Sequence, residues 1–491
     1  MIPQFLTIQN AISFEESKIP VLERDVWHQA ILENCSVGKT RIVALFAEKK
    51  NEGLIRLYCI LGNDGRKLLH IGATDIAGPN YRYPCLTNQL PEAHRFEREL
   101  FEEFAVLPEG HPWLKPVRKQ NGTSFYKLGG EQIHEVAVGP VHAGIIEPGH
   151  FRFQCYGEKV LHLEIQLGYQ HRGVEALMVK SDPLRQAVLA ESIAGDTTIG
   201  HGMAYCHAIE GLSERSITPQ RSQSLRAIAL ELERLSNHAG DLGALASDVG
   251  FLPSAAYFGR LRGEFLNILM ELTGNRYGRS FVRPGGVSLD ITAEMVRDFK
   301  KQLSTALTEM KDLAELFFSA SSVLSRLEQT GILKQNVARE LGIVGMTARA
   351  SNLLRDVRQD YPTGIYRIHK INPVKMITGD VYARAKIRSL ESKRSLQFIQ
   401  ERLDALPHDK IAQPCGPLKK QSMIVSLIEG WRGEIAHVAL THSQGEIRRY
   451  KIVDPSFHNW MALSVVMQNG QISDFPLCNK SFNFSYAGHD L

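Results

Sequence analysis

No two cysteines in this chain are spaced as C-x-x-C. The seven present, Cys35, Cys59, Cys85, Cys155, Cys206, Cys415 and Cys478, stand singly. That argues against a zinc ribbon or a disulfide scaffold and points to reduced thiols in a cytoplasmic protein. Long apolar runs are missing too: no uncharged apolar run reaches the roughly 18 residues that a membrane helix needs. The first residues, Met1-Ile-Pro-Gln-Phe-Leu6, carry no positive charge and soon meet Glu15 and Glu16, unlike a secretory signal. Nor is there an excess of either sign. The 57 basic and 53 acidic residues leave a formal charge of +4, which gives no electrostatic case for nucleic acid or lipid as a partner.

What is there is length and periodicity. At 491 residues the chain exceeds one ordinary core, so two or more domains are expected. Near the start, Arg41–Glu48, Leu54–Leu61 and Lys67–Ile71 are short apolar runs, and Asn63-Asp-Gly65 between the last two is a hairpin signal. Phe96, Leu100, Phe101 and Phe104 recur at helical spacing, with charge on the other faces and Pro108 as a stop. Residues 115–131 are basic and polar, with Asn121-Gly122 and Gly129-Gly130, as in a linker. The division read from this is a domain at 1–120, a linker at 121–130 and a domain at 131–491.

In the second part, Gly139-Pro140 and Pro148-Gly149 bracket a β-hairpin loop that holds His142 and His150. Lys159–Leu167 then alternates like a half-buried strand. Four helical stripes follow. The first starts behind Pro219 and runs from Leu225 to Leu245; the second runs from Leu261 to Leu272 and ends at Gly274. The third runs from Val296 to Leu324, and the fourth starts near Asp380. Four long stripes predict a helix bundle. The end of the chain reads as β-rich, with a hairpin over 435–453. The fold class expected is α+β: a small N-terminal α/β sandwich domain followed by a large, mostly helical-bundle domain with peripheral β-hairpins. Single histidines such as His111 and His238 have no second histidine or cysteine at i+3 or i+4 and read as packing residues.

Several blocks resemble known families. Glu97-Arg-Glu99 and Gly110-His-Pro112 resemble the signature of the C-type (30-kDa-type) subunit of respiratory complex I. Glu191–His201 resembles the segment in which [NiFe]-hydrogenase large subunits carry E-R-x-C-G-x-C, and Ser481–Leu491 resembles the place of their D-P-C-x-x-C. Gly342–Arg358 is similar to the family's G-x-x-x-R-A-S-G-x-x-x-D-x-R segment, with Asn352 in place of a glycine. A C-type domain fused ahead of a D-type (49-kDa-type) domain looks like the large subunit of formate hydrogenlyase and hydrogenase-4 complexes. The four cysteines of the family stand here as Ala194, Thr197, Ser485 and Gly488. A nickel–iron site needs soft thiolate ligands, so no metal and no hydrogen turnover are expected. Cys206 and Cys478 are out of register, and Gly195 stands where complex I has a quinone tyrosine.

The resemblance implies a peripheral subunit on the cytoplasmic face of the cell membrane that passes electrons to a quinone or another acceptor, coupled to ion translocation. The alternative is a coupling subunit with a vestigial cleft. Candidates for site chemistry are His142, His150, Glu191, Asp196, Arg349 and Asp356, with Tyr205 and Tyr486 as replacement phenols. The resemblance implies no cofactor of the chain's own other than a quinone, with the iron–sulfur cluster in a partner. Implied partners are a small B-type iron–sulfur subunit, a ferredoxin-like subunit, and membrane antiporter-like and H-type subunits.

Overall fold

The computed structural model describes residues 4–36, 40–119, 124–144 and 146–491. Asn121-Gly122, part of the expected linker, lies outside the described residues.

In the N-terminal part, strands Thr40–Asn51, Leu54–Asn63 and Leu68–Ala77 form an antiparallel meander. Leu6–Ile8 and Val21–Leu22 both pair with Leu68–Ala77. Asn63-Asp-Gly65 lies in the expected turn. Helices Arg24–Ser36 and His94–Phe104 pack on the sheet. The second of these ends at Ala105, whose φ of 55° and N–H to the Phe101 carbonyl form the cap, so the stop comes before Pro108. Its charged side is not a solvent face: Arg95, Glu97, Arg98 and Glu99 are all buried. The reason is that the C-terminal part of the chain lies over it.

A second sheet runs in the order Ile447–Val453, Glu434–Thr441, Ser422–Glu429, Phe14–Glu15, so a strand from the first residues completes a C-terminal sheet. Strand side chains alternate between faces. One face, with Met423, Val425, Leu427, Val438 and Leu440, shares a core with the N-terminal sheet. The other, with Ile424, Ile428, Ile435 and Ala439, belongs to the core of the helices.

The bundle helices are Gln220–Asp248, Leu252–Thr273, Ala293–Ser319 and Val381–Asp404. Their ends follow local chemistry. Thr292 accepts from the Met295 N–H, Asp380 from the Ala383 N–H, and Gly274 closes the second helix at a φ of 77°. The third stripe is not one helix. It breaks at Ala320, which is extended, and resumes as Ser321–Leu327.

After the expected hairpin over 434–453 the chain is helical, not β-rich: Pro455–Met467, Phe475–Phe482 and Tyr486–Asp490. Asp454 starts the first of these by accepting from the Ser456 N–H at 2.7 Å, with Pro455 in the first helical position. Helix Thr198–Leu212 is buried on almost every side, so it has no polar face to give a helical period. Among the described residues no helix is long and apolar enough to cross a membrane.

Candidate functional site

The site is built from a turn that a helix and a glycine pair hold in place. On helix Gln220–Asp248, Arg234 donates to the carbonyls of Glu429 (2.7 Å) and Gly430 (3.0 Å). Gly430 and Gly433 exchange backbone hydrogen bonds of 2.8 and 3.1 Å. Gly345 lies against this turn: a Cβ there would fall 2.2 Å from the Gly433 Cα, and its φ is +68°. Only glycine permits that approach. The tip of the turn presents Trp431 and Arg432.

These two residues reach the first motif. Trp431 Nε1 donates to the Asp196 carbonyl (3.0 Å) and to Thr197 Oγ1 (3.1 Å). The Arg432 guanidinium grips the Asp196 carboxylate with both ends, at 2.6 and 2.8 Å, and also reaches Thr197 Oγ1 at 3.2 Å. Its Nε donates to the Asn483 carbonyl at 2.5 Å, just ahead of the second motif. Arg432 therefore ties the two altered motifs together.

In the second motif, Ser485 Oγ accepts from the Gly488 N–H at 2.9 Å and caps the last helix. The Ser485 N–H donates to Ser456 Oγ at 2.8 Å. Gly488 faces Asp454: a Cβ at 488 would sit 2.6 Å from the carboxylate. From Asp454 a buried hydrogen-bonded chain continues to His201 (3.0 Å), His437 (3.1 Å) and the Tyr450 hydroxyl (2.9 Å). Burial alone would raise Asp454, but the hydrogen bond from His201 and nearby Arg432 outweigh it and hold it below the usual carboxylate range. Burial holds His437 well below the ordinary histidine value.

His142 and His150 brace the loop between strands Ile133–Val138 and His150–Tyr156. His142 Nε2 bonds the Gly149 carbonyl (2.9 Å) and His150 Nδ1 the Gly139 carbonyl (3.1 Å). His150 Nε2 is buried without a hydrogen-bond partner among the described residues. The loop carries Glu147, which accepts from the Tyr486 N–H at 3.2 Å. Burial, with Asp196 nearby, pushes the Glu147 carboxyl up.

Arg349 and Asp356 belong to a separate buried cluster. Arg349 contacts Glu391 (2.7 Å), Glu429 (2.7 Å) and Asp356 (3.5 Å), and Arg358 pairs with Asp356 (2.7 Å) and Glu231 (3.1 Å). His238 bonds Glu391 at 3.0 Å. Arg349 is thus surrounded by carboxylates of its own chain. The two clusters are joined by the single turn that carries both Glu429 and Arg432; the Asn483 side-chain amide donates to Asp241 at 2.7 Å, which pairs with Arg388. Glu191 turns to the other side, taking the Ser280 N–H (2.9 Å) and Arg283 (2.8 Å). Tyr205 donates to the Pro183 carbonyl and Gln186, away from the two motifs, while Tyr486 packs on Trp460. Sequence reasoning missed Arg432, Glu147, His201, His437 and Asp454. Only the Asp-Pro at 454 carried a local signal, that of a helix start.

The residues present do not fit a nickel–iron centre. The four ligand positions offer a methyl group, two hydroxyls and a hydrogen, where such a centre takes thiolates. A guanidinium bridges the motifs, and a side chain at 488 would collide with Asp454. Among the described residues no three His, Cys, Asp or Glu are grouped to hold a metal ion.

The architecture is that of a hydrogenase-type large subunit. A family described as "Respiratory-chain NADH dehydrogenase, 49 Kd subunit" matches residues 248–423. The chain is 30% identical to the carbon monoxide-induced hydrogenase of Rhodospirillum rubrum over 352 residues, covering 71% of this chain and 97% of the relative. It is 26% identical to formate hydrogenlyase subunit 5 of Escherichia coli (strain K12), covering 90% of this chain and 83% of the relative. Among solved structures, a chain of the membrane-bound sulfane sulfur reductase, an archaeal respiratory membrane complex, superposes with a TM-score of 0.68 at 22% identity, covering 74% of this chain and 99% of that one. The chain belongs to the family that unites group 4 [NiFe]-hydrogenase large subunits with the complex I 49-kDa subunit.

Proposed function

We propose that this chain is the large peripheral subunit of a membrane-associated redox complex and that it does not turn over hydrogen. One observation carries this reading: positions 194, 197, 485 and 488 offer a methyl group, two hydroxyls and a hydrogen where the family's metal would need four thiolates. The names of the relatives, which include hydrogenases and NADH-quinone oxidoreductase subunits, support a role in such a complex. In this reading the subunit lies on the cytoplasmic face of the membrane. It packs on a small B-type iron–sulfur subunit, with ferredoxin-like, H-type and antiporter-like subunits in the same assembly. Electrons from the partner's cluster pass to a quinone or another acceptor, coupled to ion translocation. The unpartnered, buried Nε2 of His150 supports a carbonyl-bearing acceptor near the hairpin loop, since an imidazole nitrogen can bond such an oxygen and exchange a proton with it.

A second reading is favoured by the closed Arg432–Asp196 pair: the cleft is vestigial and the subunit only couples its neighbours. Two measurements on the purified complex decide. Nickel analysis is expected to find none, and one nickel per chain refutes the proposal. Titration with a quinone analogue is expected to saturate and to weaken in His150→Ala; no saturable binding leaves the coupling role in its place.

A further inference from the structure

Four buried guanidiniums form no ion pair among the described residues, those of Arg95, Arg98, Arg384 and Arg402, and the first two share one cavity. Arg95 and Arg98 lie one turn apart on helix His94–Phe104, and each is 8% exposed. Among the described residues Arg95 donates only to the Phe457 carbonyl, at 2.7 Å. Arg98 donates to the carbonyls of Lys115 (2.6 Å) and Pro116 (2.8 Å), and its guanidinium lies 4.5 Å from the centre of the Trp113 ring. Among the described residues neither forms an ion pair. Arg41, Arg118, Arg226, Arg349, Arg358 and Arg388, by contrast, each meet an acid, and Arg384 is held by Ser481 Oγ and the carbonyls of Gly331 and Gly379. Burial and mutual repulsion accordingly push Arg95 well below its ordinary range, and burial brings Arg98 down to about 10. An uncompensated buried charge costs several kcal/mol.

Both arginines line one small cavity, together with Lys115, Lys119, His489 and a single acid, Glu164. Glu164 is already engaged by Lys115 Nζ at 2.5 Å and by the Tyr126 N–H at 2.9 Å, and with Glu102 it offsets only part of the effect of burial on Arg98. Burial keeps His489 neutral, near 4. The cavity volume is about 40 Å³, a few times the roughly 10–15 Å³ that one water molecule needs. That leaves room for a small oxyanion and none for a nucleotide.

We propose that this cavity is a binding site for a small inorganic oxyanion of the phosphate or sulfate class, held by Arg95 and Arg98 with Lys119 at the mouth. Planar guanidinium forks match tetrahedral oxyanions, and the bond is charge-assisted. The site lies where the N-terminal helix, strand Lys159–Gln166, helix Pro455–Met467 and the helix of the second motif meet, the last through His489. A bound anion would therefore cross-link the N-terminal sheet domain to the segment that carries Ser485 and Gly488. This inference does not depend on the redox role proposed above.

The test is calorimetric titration of the full chain with phosphate and, separately, sulfate at constant ionic strength, with chloride as the control. The expected result is one saturable site per chain. Trp113 fluorescence should change on binding, and the change should be lost in Trp113→Phe. Arg95→Gln and Arg98→Gln should each weaken binding by about tenfold or more. Lys119→Glu changes an exposed residue and should weaken binding similarly with the fold intact, so a result remains even if an arginine variant fails to fold. No saturable heat up to about 20 mM anion, equal binding of chloride, or affinity unchanged in folded Arg95→Gln or Lys119→Glu would each overturn the proposal.

Discussion

Arg432 and Asp196, 236 residues apart in the chain, form a two-pronged ion pair at 2.6 and 2.8 Å. The same guanidinium holds the Asn483 carbonyl, so one side chain fastens both altered motifs. The arrangement sets a fixed positive charge beside the Thr197 hydroxyl, one of the four altered positions.

The pair should be measurable as a coupling. Asp196→Ala leaves a guanidinium that is only 5% exposed with no carboxylate in contact. Breaking a buried pair costs 3–5 kcal/mol, but the Asp196 side chain is 35% exposed, so water screens part of the interaction. The expected loss is about 2 kcal/mol. Arg432→Met should also destabilise, and the double variant should lose less than the sum by about 1 kcal/mol or more. Urea unfolding of the three variants checks this, and strict additivity would show that the pair does not join the motifs.

Gly488 and Asp454 should exclude each other's enlargement. Asp454 is not a flexible tip that can swing aside: His201 Nε2 and the Ser456 N–H hold its two oxygens. Gly488→Ala should therefore cost about 1–3 kcal/mol through overpacking. In an Asp454→Ala background that penalty should fall to near zero, which a thermodynamic cycle by denaturant unfolding reads directly. The same clash predicts that restoring all four cysteines, with Asp454 kept, yields a protein that takes up no nickel by elemental analysis.

Much of this fold was legible because its signals are local. Pro219, Gly274 and Asp380 mark helix ends by chemistry that involves only neighbouring residues. The site was only half legible. The places of the lost cysteines could be found by resemblance, but Arg432 is one arginine in a turn, and its partners lie 236 and 51 residues away. Glu147 and Tyr486 meet across 339 residues. The helix at Pro455 was misread because its residues are buried nearly all round, which leaves no polar face. The charged residues of His94–Phe104 were misread for the opposite reason. Charge was taken as a sign of solvent, whereas Glu97 and Glu99 have partners inside the protein.

The Arg349 cluster should show itself as a pH dependence. Four carboxylates, of Glu231, Asp356, Glu391 and Glu429, face three guanidiniums, of Arg234, Arg349 and Arg358. His238 contributes no charge at neutral pH, because burial lowers it, and neighbouring Asp241 is matched by Arg388. One carboxylate is in surplus, and burial next to Asp356 pushes Glu429 up to about 7. Below the unfolded carboxylate value of 4.5 both states hold the proton. Between there and pH 7 the unfolded chain releases it while the folded chain keeps it, so this group's contribution to stability falls as pH rises and then levels off. Glu429→Gln cannot ionise and should escape the fall. Relative to wild type, its unfolding free energy should therefore improve by about 2–3 kcal/mol between pH 5 and pH 8. The depressed acids of the cluster, such as Glu391, are common to both proteins and cancel in the difference. Urea unfolding at four pH values across that window provides the check, and parallel curves for the two proteins would mean that Glu429 holds no proton at neutral pH.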